Sequence, residues 1–146
     1  MQIETTHFDA VQIDADDILL FPQGLIGYVE SRHWVLLADG QTPSLGWLQS
    51  ISDAELAIPV VSPRRFIGNY QVRVSRRDIA PLDLKNRSDA HVLAVLSRNG
   101  DQLTVNLKAP LLINLELNLG RQVVVNDDQP ISLPLAPVGH TYRKSA

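Results

Sequence analysis

The sequence predicts an all-β fold, a small antiparallel β-barrel with one or two short helices. Apolar and polar residues alternate along much of the chain, the period of a strand with one buried face, while the i, i+3, i+4 period of a long helix is missing. Asn99-Gly100 stands between two apolar runs, and both residues tolerate the positive φ of a tight hairpin turn. Roughly ten short strand-like runs follow one another with Asp, Gly, Pro and Ser between them, the spacing of a barrel or sandwich. At 146 residues, 45% of them hydrophobic, the chain is long enough for one domain to bury its own core.

From the N-terminus, strands are expected at residues 3–5, 11–13, 18–21, 34–37, 45–50, 56–61 and 70–74. Pro59 interrupts the sixth, and because proline donates nothing to a ladder that strand reads as an edge or a bulge. Residues 28–33 read as a single helical turn. Ser75-Arg76-Arg77-Asp78 has the spacing of a capping box, and Pro81 limits the helix that follows. The runs 91–96 and 103–107 are the arms of the Asn99-Gly100 hairpin, with a type I′ turn expected between them. Leu111, Ile113, Leu115, Leu117 and Leu119 alternate with Asn114, Glu116 and Asn118. A strand over 111–119 would turn those three polar side chains to water, unless residues 116–120 form the turn instead. Gly120 is expected to open the turn into a returning strand at 122–125. The barrel is expected over residues 1–128, followed by an extended Pro-rich C-terminal tail over 129–146 that contains Pro130, Pro134 and Pro137.

Composition narrows the chemistry. The chain has no cysteine, which removes disulfides, thiol nucleophiles and cysteine-bearing metal sites. His7, His33, His91 and His140 are scattered and share no ligand spacing, and no nucleophile elbow, zinc-protease motif or phosphate-cradling glycine loop is present. Catalytic, metal and cofactor roles are therefore not expected. The N-terminus has neither a basic nor an apolar leader region, and no stretch approaches the ~20 apolar residues of a membrane span. A cytoplasmic protein, monomeric when free, is expected. Three Phe, three Tyr and two Trp are too few for repeated base-stacking platforms, so direct nucleic-acid binding is not expected.

Charge is unevenly distributed around the net of −3. Residues 1–60 hold nine acids against Arg32 alone, whereas residues 61–98 hold eight bases against three acids. Such an asymmetry steers charged partners. Within the basic stretch, Arg73-x-x-x-Arg77 resembles the guanidinium pair with which PilZ-type barrels grip a cyclic dinucleotide, although His91 stands where that family places glycine. The alternative function is thus a nucleotide- or nucleic-acid-binding module using Arg64, Arg65, Arg73, Arg76 and Arg77.

Several segments in order carry a stronger likeness. They are Ile3-Glu4-Thr5-Thr6-His7-Phe8, the run Ile18-Leu19-Leu20-Phe21-Pro22-Gln23-Gly24-Leu25-Ile26-Gly27-Tyr28, Trp47-Leu48-Gln49-Ser50 with Leu56-Ala57-Ile58, Val105-Asn106-Leu107-Lys108-Ala109-Pro110-Leu111-Leu112-Ile113-Asn114, and Gly120-Arg121-Gln122-Val123. Together they resemble the bacterial flagellar assembly factor FliW family over about residues 1–125. Ile26 stands where proline is usual, Pro59 falls in a strand normally free of it, and the segment after Asp128 fits the pattern poorly.

The resemblance implies a small antiparallel β-barrel with no enzymatic activity and no cofactor, acting by binding. Its implied partners are flagellin, held in the cytoplasm before export, and the translational repressor CsrA. Sequestering CsrA lets flagellin mRNA be translated; accumulated flagellin occupies the factor and repression returns. On this reading Asp14, Asp16, Asp17 and Glu30 would steer the RNA-binding, basic CsrA, since rim charges mainly set encounter rates. Phe21, Leu25 and Trp47 are expected in the core, with Pro22, Gly24 and Gly27 as turn-formers. Alternation turns Asn106, Lys108 and Asn114 away from the apolar face, and Pro110 breaks the ladder. These four are expected to mark an exposed binding edge.

Overall fold

The computed structural model describes residues 1–135. A hairpin of β1 (Gln2–Thr5) and β2 (Asp9–Gln12) precedes the main sheet. Thr5 shapes its turn: the hydroxyl accepts from the Phe8 N–H at 2.7 Å and donates to the Asp9 carbonyl at 2.7 Å, while Asp9 takes φ +60°. The expected 11–13 strand thus begins two residues earlier. Ile3 and Ile13 then bury against Val35, which fixes the hairpin to the barrel wall.

The barrel consists of β3 (Ile18–Leu20), β4 (His33–Ala38), β5 (Leu45–Ser50), β6 (Ala57–Val61), β7 (His91–Asn99), β9 (Leu111–Asn114) and β10 (Leu119–Gln122). β7 pairs with both β6 and β9, and β10 lies between β9 and β3, so seven strands close into a ring. All pairings are antiparallel except the seam, where Leu119 of β10 meets Leu20 of β3 in parallel. β7 outlasts the barrel. Its end, Leu96–Asn99, pairs with β8 (Gln102–Val105), and β8 in turn carries β11 (Leu133–Pro134). The all-β expectation is met: a closed barrel with one short helix.

Alternation buries Leu19, Phe21, Trp34, Leu48, Val60, Leu111 and Ile113 inside the ring. The Phe21 ring lies against the Gly120 backbone so closely that a Cβ there would come within 2.3 Å of Cζ. Gly120 is therefore a strand residue emptied for an aromatic ring, not the turn residue expected. The turn falls earlier. Asn114 Oδ1 accepts from the N–H groups of Glu116 (3.0 Å) and Leu117 (3.3 Å), ending β9, and Asn118 takes φ +55°. Leu115 and Leu117 are exposed as a result. Residues 123–125 continue outside regular strand, with the Val123 and Val125 N–H groups donating to the Pro110 and Lys108 carbonyls.

Three further expectations are adjusted. Asn99 pairs with Gln102, so the hairpin loop is Gly100-Asp101 with positive φ at Gly100 alone, the type II′ pattern rather than type I′. Residues 70–74 form no strand; Tyr70 is instead buried, its hydroxyl donating to the Leu107 carbonyl at 2.7 Å. Residues 28–33 make one i→i+3 turn, with the Ser31 N–H donating to the Tyr28 carbonyl. The helix α1 (Arg76–Ile79) forms as expected, with Ser75 as its N-cap, and runs into a 3₁₀ turn that ends at Asp83 with φ +51°. From residue 129 the chain is extended and held to the barrel: the Leu107 N–H donates to Pro130, β11 joins β8, and the Leu135 N–H donates to Leu103. Pro137, His140 and the rest of the expected tail, 136–146, lie outside the described residues.

Candidate functional site

The segment between β3 and β4 projects from the barrel end. Gly24 at φ +67° passes so close to Val29 that a Cβ would meet its carbonyl oxygen at 2.5 Å. Gly27 takes φ +87° inside a tight turn closed by hydrogen bonds between Leu25 and Tyr28. These two glycines let the chain reverse while Leu25 is buried under it. The residues left outside are apolar: Ile26 and Val29 are each 61% exposed and Tyr28 45%. The turn is held from beneath, because the Ile26 N–H donates to Gln122 Oε1 and Gln122 Nε2 donates to the Ala109 carbonyl. A rigid apolar prow on a well-anchored base is the kind of feature that docks a partner.

Beside the prow runs a groove of about 330 Å³ whose walls include Ile26, Tyr28, Leu56, Ile58, Val95 and Leu96. Tyr28 and Leu56 also border a second depression, which holds Glu30 and Asp53. The surface is thus apolar along one stretch and acidic at one end.

Of the expected acidic residues, Asp14, Asp16, Asp17 and Glu30 are all exposed and none forms an ion pair among the described residues. They do not form one patch. Asp14, Asp16 and Asp17 precede β3, and the Asp17 carboxylate accepts from the Asp14 N–H at 2.8 Å. Glu30 lies beyond the opposite end of β3, next to the prow.

The expected binding edge at 106–114 is placed differently. Asn114 is 6% exposed, and its Nδ2 donates to the Leu82 carbonyl at 2.9 Å. Pro110 is buried. Asn106 Oδ1 accepts from the N–H groups of Lys108 and Ala109, both at 3.0 Å. Half-buried Lys108 reaches the Val125 carbonyl (2.9 Å) and the Asp127 carbonyl (2.7 Å) with its ammonium. The outward orientation expected of these side chains is corrected: they tie turns and the 123–127 segment to the barrel. The periodic reading failed because an Asn can end a strand from within. It missed the prow because the 21–28 run reads as buried Phe21 and Leu25 joined by turn-formers, with no side assigned to Ile26, Tyr28 or Val29.

Trp47 is half-buried rather than in the core. Its ring lies 4.1 Å from that of His7, and its indole N–H donates to Asp39 at 3.0 Å. That bond, with the Thr42 and Gln41 N–H groups, holds the Asp39 carboxyl below its ordinary range. Burial, with a contribution from Asp127, pushes the Tyr70 hydroxyl up to about 12. The basic segment does not converge. Arg64 donates to the Tyr70 carbonyl and lines a cavity of about 370 Å³ with Arg87, while Arg65, Arg73, Arg76 and Arg77 lie outside it. Arg73 faces Asp127 at 3.8 Å. Among the described residues no group of acids and histidines is placed to hold a metal ion, and no helix is long and apolar enough to cross a membrane.

The family model described as FliW protein matches residues 2–135. The chain belongs to the FliW family. It is 33% identical over 129 residues to the flagellar assembly factor FliW of Natranaerobius thermophilus, covering 86% of this chain and 85% of that protein. It is also 33% identical to that of Bdellovibrio bacteriovorus, covering 88% and 74%. A crystal structure of the flagellar assembly factor FliW superposes with a TM-score of 0.86 at 28% identity, covering 94% of this chain and 98% of that one. These FliW relatives are named as flagellar assembly factors.

Proposed function

We propose that this chain is a flagellar assembly factor that works by docking, binding flagellin in the cytoplasm and binding the repressor CsrA, so that flagellin translation follows flagellin export. It transforms no substrate. The observation that carries this reading is membership of the FliW family over residues 2–135. The apolar prow and the uncompensated acids support it, since anchoring side chains set affinity while exposed charges set encounter rate.

Titration calorimetry of the full chain against purified flagellin and purified CsrA from the same organism tests the proposal. Saturable binding to each is expected, and binding to neither overturns it. Reversing Asp14, Asp16, Asp17 and Glu30 to Lys should slow CsrA association several-fold at low salt, with the difference shrinking as salt rises. Unchanged on-rates would remove those four residues from the encounter.

A further inference from the structure

The groove beside the prow is a fork in the sheet. The Ser50 N–H donates to the Leu56 carbonyl at 2.9 Å. Alternation therefore turns the backbone groups of Leu56, Ile58 and Val60 toward β5, and those of Ala57, Pro59 and Val61 toward β7. β6 and β7 pair only at Val60–Val95 and Val61–Ala94. The next pair, Pro59 with Leu96, is half made: the Pro59 carbonyl takes the Leu96 N–H, but Pro59 has no N–H to return to the Leu96 carbonyl. The ladder stops there, and β7 runs on beside β8 alone.

This leaves a strand edge open beyond Leu96 on one side and a defective one on the other. On β7, Ser97 and Asn99 face β8, while the Leu96 carbonyl and both backbone groups of Arg98 face the fork, and no strand pairs with them among the described residues. On β6, Pro59 removes a donor from the facing edge. The walls between are mainly apolar, with Ser97, Asn106 and Gln122 as their polar members. Continuing the register sets Ala57 opposite Arg98, so Asp53 and Glu55 come at the end of the fork nearest the β7–β8 turn, where Glu30 and Asp53 share a depression. None of these three acids is ion-paired among the described residues.

We infer that this fork accepts an extended segment of a partner protein as an added strand, hydrogen-bonded to Arg98 and reaching the Leu96 carbonyl. The segment places apolar side chains against Leu56, Ile58 and Tyr28 and a Lys or Arg beside Glu30, Asp53 and Glu55. Strand addition of this kind takes affinity from main-chain bonds and specificity from side-chain pockets. The inference rests on the docking reading above and deepens it by naming the form of the docked segment.

Backbone amide exchange in the full chain, followed by NMR, tests it with two kinds of ligand. The first is the synthetic peptide acetyl-Lys-Lys-Val-Thr-Val-Thr-Val-amide, with a Glu-Glu counterpart as control; the second is purified flagellin or CsrA. The lysine peptide should slow exchange at the Arg98 amide at least tenfold, and the glutamate peptide should bind at least tenfold more weakly. Arg98→Pro removes a donor on the fork side while leaving the Ser97 and Asn99 bonds to β8, and should weaken the lysine peptide at least tenfold. Should that variant not fold, the triple variant E30K/D53K/E55K should reverse the preference between the two peptides. Peptide binding without protection at Arg98 would overturn the inference, as would no peptide binding. So would protection of the Arg98 amide in the free chain that disappears when residues 136–146 are deleted, because the chain's own end would then hold the edge. Failure of both whole proteins to bind, with the peptide results intact, would instead count against the proposed partners.

Discussion

The prow at 24–29 and the stretch at 106–118 use their residue types in opposite senses. In the first, Ile26, Tyr28 and Val29 stand in solvent while the glycines carry the backbone through a tight reversal. In the second, Asn106, Lys108 and Asn114 direct their polar atoms at backbone groups of the same chain. Polar character therefore marks scaffolding in one region, and apolar character marks exposed surface in the other. The physical reason is that every strand end leaves backbone groups needing partners, and a side-chain amide supplies them more cheaply than a longer turn. An apolar residue on a rigid reversal meets no such demand and is free to face outward.

Breaking the scaffold side should produce the largest effect. Asn114→Ala leaves the Leu82 carbonyl and the Glu116 and Leu117 N–H groups without their partner, at a cost of about 3 kcal/mol read by chemical denaturation. A loss within about 0.5 kcal/mol would mean that the turn closes without this amide. The prow should behave in the opposite way. Ile26→Ser with Tyr28→Ala should leave the unfolding midpoint nearly unchanged while weakening partner binding at least tenfold, or about 1.4 kcal/mol. Equal losses of stability and binding would collapse the distinction between the two regions.

The smallest expected effects are in pH. Tyr70 donates to the Leu107 carbonyl beside the scaffold stretch, and its folded value lies near 12. Its contribution is fully present below its ordinary value of about 10 and is lost as the pH rises from there through 12. Tyr70→Phe should flatten that alkaline decline. Asp39 works in the other direction: its lowered value stabilises the fold above the ordinary carboxylate range, and that part is lost as acid protonates it. Trp47 fluorescence should report the acid step, and Asp39→Asn should abolish it.

Much of the barrel was legible because period-2 alternation is a local signal: β4, β5, β6 and the 91–105 hairpin lie within a few residues of their expected positions. Pro59 reads in the sequence as marking an edge or a bulge; β6 instead lies between β5 and β7, and the missing donor shows only in the early end of the β6–β7 ladder. What stayed hidden depends on partners distant in sequence. Gly120 looked like a turn until Phe21 was laid across it, and Asn114 looked solvated until Leu82 arrived from 32 residues away. The strand expected at 70–74 was lost to a tyrosine that found its acceptor at Leu107, in the linker between two strands. The candidate site was legible as the signature run 21–28, though not its outward side, because periodicity in a turn says little about which face is buried.

The single parallel contact between Leu20 and Leu119 carries a temporal consequence. Every other wall of the ring can form as its strands leave the ribosome, but this one needs residues separated by most of the chain's length. A nascent chain shorter than about 120 residues presents β3 as an open margin and leaves Phe21 without the glycine it rests on. Closure is therefore confined to the end of synthesis, and loop entropy makes it a late event in folding as well. The prow springs directly from β3 and is fastened through Gln122, so this apolar reversal gains its anchor only once the polypeptide is nearly complete.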